Sequence, residues 1–130
     1  MISQLYIQKH LIKAALVFIL FFCSCTKNKH PNIKIISPTN GQVFNAGDII
    51  EISADLQDSD ALSSEYLVVT KVSITNDTVI NFQDHQFMGN AYTYHLIKSF
   101  TSEANTQYKI VVSGYGHSTL SSDSIFVKAN

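Results

Sequence analysis

The chain has no arginine and no tryptophan, and only two cysteines and two prolines in 130 residues. Arginine supplies the planar fork that grips phosphates and base edges, so its absence argues against nucleic-acid binding. The two cysteines, Cys23 and Cys25, lie one residue apart. An extended Cys-x-Cys holds its sulfurs too far apart for a bridge, and two thiols in an apolar setting do not supply four metal ligands. The apolar run AALVFILFF, Ala14 to Phe22, has nine residues, against roughly 20 for a membrane-spanning helix. There is no Gly-x-Ser-x-Gly nucleophile motif.

What is there begins with an address. Met1 to Lys13 carries Lys9 and Lys13 and no acid; the apolar run follows, then the polar stretch TKNKHPN. That order is the layout of a secretory signal. Its end, Phe22-Cys23-Ser24-Cys25, resembles the lipobox of bacterial lipoproteins: an apolar residue, two small ones, then the cysteine. The resemblance implies a diacylglyceryl group on the Cys25 thiol, a cut before it, and acylation of its new amine. Cys23 then fills a small-residue slot in the discarded peptide. The departures are Phe22, where Leu is commoner, and Cys23, where Ala, Ser or Thr is usual. An ordinary cleaved signal or an uncleaved anchor is the alternative. Several acyl chains anchor stably where one is marginal. Thr26 is not the aspartate that holds enterobacterial lipoproteins at the inner membrane, so the resemblance implies outer-membrane placement. Lys27 and Lys29 stand where surface-exported lipoproteins of Bacteroidota carry acids. The periplasmic or surface face is therefore undecided.

The expected division is a signal peptide over 1–24, a lipidated cysteine with a polar tether over 25–32, and one domain over 33–130. Beyond the cut there remain seven lysines against ten acids, a formal charge of about −3. No cysteine but the anchor is left, so the fold holds without disulfides and redox chemistry is excluded. A domain of this size is large enough for one core.

Hydrophobic residues recur with period two, the mark of strands, and nowhere with a helical period. Ile33 to Ser37 reads as a strand closed by SPTNG, whose Pro38 and Asn40-Gly41 are turn residues. Gly47-Asp48 is a second turn. Ile50, Ile52, Ala54 and Leu56 then alternate with Glu51, Ser53 and Asp55, the pattern of a strand with one wet face. QDSDALSSE reads as a polar loop. Leu67 to Thr75 is expected as a strand, with Val69, Val72 and Ile74 in the core. Asn76-Asp77 is expected to make a tight hairpin into Thr78 to Phe82. After the loop DHQFMGN, Ala91 to Phe100 places Tyr92, Tyr94, Leu96 and Phe100 on one side. Gln107 to Ser113 turns Tyr108, Ile110 and Val112 inward. GYGHSTLSS is expected as a loop before a last strand, Asp123 to Lys128. About seven half-apolar strands can bury their faces only against each other, so the fold class is all-β, an antiparallel sandwich.

The core cysteine pair and tryptophan of immunoglobulin domains are missing. Even so, IKIISPTNGQVFNAGDIIEISADLQDSDAL and NTQYKIVVSGYGHSTLSSDSIFVKA resemble the opening and closing stretches of bacterial Ig-like modules. Tyr108 stands where a tyrosine corner belongs in fibronectin III and Ig folds. A lipoprotein with one such domain is similar to lipoproteins of Bacteroidota. The resemblance implies a fold and is nearly silent on activity.

Three sets of residues invite chemistry. Asp55, Asp58 and Asp60, with Glu65 further on, have the spacing and oxygen ligands that suit calcium, and turn chemistry accounts for the same residues. No other cofactor is implied. Of the histidines His30, His85, His95 and His117, Asp84-His85 and His117-Ser118 fit no hydrolase signature. His95 is expected on the outer face of its strand, with zinc held by His85, His95 and an acid as a lesser reading. Phe87, Met88 and Tyr115 are expected in loops, where apolar side chains can mark a contact surface. Tyr92 and Tyr94 share the predicted core face. The expectation is a non-catalytic, lipid-anchored envelope module that binds a protein or lends structure. A carbohydrate-binding accessory lipoprotein is the alternative, and the membrane is the first partner.

Overall fold

The computed structural model describes residues 30–59, 62–84, 93–116 and 119–130. Every regular element in them is a strand: β1 (Asn32–Ser37), β2 (Val43–Phe44), β3 (Ile49–Gln57), β4 (Leu62–Lys71), β5 (Thr78–Asp84), β6 (Thr93–Thr101), β7 (Thr106–Gly116) and β8 (Thr119–Ala129). They form a three-stranded sheet, β1-β3-β6, and a five-stranded sheet, β2-β8-β7-β4-β5. All pairings are antiparallel except β2 with β8.

The alternation of β3 dictates this packing. Ile50, Ile52, Ala54 and Leu56 are fully buried, and across the gap so are Leu67, Val69, Tyr108, Ile110 and Val112. Each large aliphatic buried in this way contributes about 1.5–3 kcal/mol. The chain changes sheets between β1 and β2. Gly41, at φ +80°, takes the turn there, since a side chain at such a φ is strained. Two links then tie that side of the sandwich: Asp123 accepts the Ile35 N–H at 2.9 Å, and Asn40 accepts the Phe126 N–H at 2.8 Å.

The opposite side is bounded by β5 and β6. Lys98 points inward from β6, its Nζ 3.9 Å from the centre of the Phe82 ring. An inward cation on an edge strand blunts strand-to-strand association.

The structure corrects four expectations. The polar segment Leu62 to Glu65 is the start of β4, with Leu62 in the core. Val72 and Ile74 are exposed, not core, because β4 ends at Lys71. The turn between β4 and β5 is accordingly a six-residue loop rather than a two-residue hairpin, with Asn76 at φ 49°. The Gly-rich segment around Tyr115 and the Ser-rich segment from Thr119 are strands, not loop.

Candidate functional site

Of the residues singled out from sequence, Cys25, Asp60, His85, Phe87, Met88, Tyr92 and His117 lie outside the described residues. The others are separated. Asp55 is on β3 facing outward, bonded to His95. Asp58 is buried, against Gly116 and Pro31 at one end of the sandwich. Strand alternation puts these two carboxylates on opposite sides of the sheet, so they do not converge. Tyr115 lies in β7 on the outer face of the five-stranded sheet, 40% exposed. Among the described residues, no group of three or more His, Cys, Asp and Glu gathers to hold a metal ion.

The outer face of the three-stranded sheet carries a hydrogen-bonded chain that the sequence did not announce. His95 Nδ1 lies 2.6 Å from Asp55 Oδ1, and its Nε2 lies 3.3 Å from Ser53 Oγ. The cause is register: Asp55 pairs with His95, and Ser53 is two residues back on the same face. These are the residue types and contacts of a hydrolase triad. The surroundings differ from one. The side chains of His95 and Asp55 are 51% and 39% exposed, where an effective triad is desolvated. β3 is the central strand, paired on both sides, so its amides belong to ladders and cannot turn to hold an oxyanion. The chain fixes the orientation of His95 across the sheet.

A second polar group sits between the sheets. Glu65 is buried on β4, its Oε1 without a hydrogen-bond partner among the described residues. Burial pushes its carboxyl above the ordinary range, against a bond from the Tyr94 hydroxyl and with Asp84 adding to the rise. The same burial, with Glu65 beside it, pushes the Tyr94 hydroxyl up to about 12.

The third feature is the outer face of the five-stranded sheet. Its register places Leu120, Tyr115 and Ser64 in one row. Ser122, Ser113, Tyr66 and Gln83 form the next, and Ser124, Val111, Val68 and Asn81 the one after. Phe126 and Lys109 follow, then Lys128 and Gln107. Tyr66 and Phe126 were missed from sequence. Each alternates in antiphase with core neighbours, Leu67 and Ile125, and that phase is the signal that finds them.

Two sheets in this strand order define an immunoglobulin-like sandwich, here with a buried tyrosine at the corner into β7, its hydroxyl bonded to the Glu103 N–H. Residues 31–112 match the bacterial Ig domain family, and the chain belongs to that family. No curated protein matches the chain. Among solved structures it is similar to the endo-β-1,4-mannanase of Thermotoga petrophila, at 14% identity and a TM-score of 0.54, over 82% of this chain and 21% of that one. It is also similar to the fibronectin(III)-like modules of CbhA from Clostridium thermocellum, at 22% identity and a TM-score of 0.46, over 78% and 48%. A third similarity is to domain 1 of VCBP3 from Branchiostoma floridae, at 10% identity and a TM-score of 0.48, over 79% and 97%. The chain thus spans about half of the CbhA structure and a fifth of the mannanase. At these identities the likeness is one of fold.

Proposed function

We propose that this chain is a non-catalytic interaction or structural module of the cell envelope, held to the membrane, in its outer-membrane form, by acyl chains on Cys25. Membership of the Ig domain family supports the module. The observation that carries the binding role is the exposed row of Tyr115 and Leu120, 40% and 56% exposed on an outer sheet face. Contiguous apolar surface left in water marks contact surfaces, where a single exposed residue does not. The signal-like layout of residues 1–24 and the lipobox resemblance support the anchor. A carbohydrate-binding role is the second reading, favoured by tyrosines and hydroxyl groups sharing that face.

The test is affinity capture, after cross-linking, of the full chain from its native membrane, beside a Cys25→Ser control. Partners recovered near stoichiometry and lost in the control support an anchored module. The intact mass of the membrane-extracted chain reads the anchor directly, and an unmodified full-length mass sinks it.

A further inference from the structure

We propose that the outer face of the five-stranded sheet binds an acidic polysaccharide chain, laid along β7 and β8. This rests on the binding-module reading and names its ligand class.

Charge is the first ground. The chain carries ten acids, yet none stands at the outward positions of β8, β7, β4 and β5 given above. The charges on that face are Lys109 and Lys128, both exposed. The other sheet presents Glu51 and Asp55 outward with Lys34 opposite Asp55, so it carries both signs where this face carries one. A surface of one sign concentrates ligands of the other.

Shape and chemistry are the second ground. Ser64 opposes Tyr115 and Ser113 opposes Tyr66, so the two tyrosines are diagonal neighbours on adjacent strands, about 7–8 Å apart. Their hydroxyl network is in place: Ser64 Oγ reaches the Tyr66 hydroxyl at 3.4 Å, and Ser113 Oγ reaches Ser122 Oγ at 3.0 Å. Phe126 lies six residues beyond Leu120 on β8, roughly 20 Å along. Half-buried Val68 and Val111 floor the ground between. A protein interface gathers its anchors in one desolvated centre with a polar rim. Here aromatic rings are strung along a strip with hydroxyls and amides between them. A polymer of rings has the matching surface: C–H faces that stack on aromatics, hydroxyls that bond to Ser, Asn and Gln, and acidic groups for the lysines.

Polygalacturonate, alginate and chondroitin sulfate are the probes, each cast into native gels through which the full chain runs in detergent. At least one should retard the chain, more at low salt than at high. Tyr115→Ala and Tyr66→Ala should each weaken retention fivefold or more. Lys109→Gln, at an exposed position beside the Phe126 ring, should weaken it and flatten the salt dependence. Ile97→Ala, on the other sheet, should change nothing. No retardation by any probe overturns the proposal, as does retardation that the face variants leave unchanged. A photo-crosslinker at position 122 separates the two readings in native membranes. A protein captured there without glycan retention overturns the polysaccharide and keeps the module. Neither capture nor retention brings both down.

Discussion

The hydroxyl oxygen of Tyr108 accepts a hydrogen bond from the Glu103 N–H at 2.7 Å, closing the turn from β6 into β7. The ring is fully buried and meets Phe100 edge-on, centroids 4.9 Å apart. Tyr108→Phe keeps the packing and removes the acceptor. The part-buried N–H left behind should cost about 1–2 kcal/mol, read in thermal unfolding as a Tm lower by roughly 4–16 °C. An unchanged Tm would mean that the turn holds without the bond.

The core and the β4–β5 loop should answer truncation oppositely. Leu96 is fully buried, and Leu96→Ala should cost about 2–5 kcal/mol through lost burial and a cavity. Ile74 is fully exposed at the loop, and Ile74→Ala should change stability by less than about 0.5 kcal/mol. Denaturant titration of both variants measures the contrast.

Glu65 should make the domain less stable as acid is withdrawn. Its folded pKa is raised, so between the unfolded and folded values the native state holds more protons than the unfolded one. Stability therefore falls as pH rises through that window, beginning near the ordinary carboxyl value of about 4.3. Glu65→Gln keeps an acceptor for Tyr94 and carries no charge. Its Tm should exceed that of the parent at pH 7 and match it more closely at pH 4. A parent and variant with parallel pH profiles would refute this.

Asp55 and Asp58 sit on opposite sides of their sheet, so millimolar calcium should leave the Tm where it is. A rise that chelator reverses would support the calcium reading of Asp55, Asp58 and Asp60. The exposed His95–Asp55 pair should likewise be worth little: His95→Ala should cost under about 1 kcal/mol.

The sandwich was legible where strands keep one wet face. Ile50 to Leu56 and Tyr108 to Val112 alternate cleanly and, with Leu96 and Phe100, are buried as read. What misled was glycine and serine. Gly114 and Gly116 read as turn residues, yet both stand in β7 facing inward. A Cβ on Gly114 would come within 2.7 Å of Ile33 and 3.1 Å of Leu56, and one on Gly116 would strike Asp58. They are there for want of space, and spacing in sequence does not report that. Tyr115, a contact residue expected in a loop for the same reason, stands in β7. The Ser53–His95–Asp55 chain was hidden because two strands forty residues apart must first be put in register.

The chain enters the sandwich at Asn32, by the Gly116 end, and Ala129 stands at the other end, opposite Thr106. Beside it, β2 runs parallel to β8, joined through Gly41 to Phe126, Lys128 to Gln42 and Asn130 to Phe44. A pull between the two ends is directed along the strands. Those bonds would then be sheared together rather than peeled one at a time.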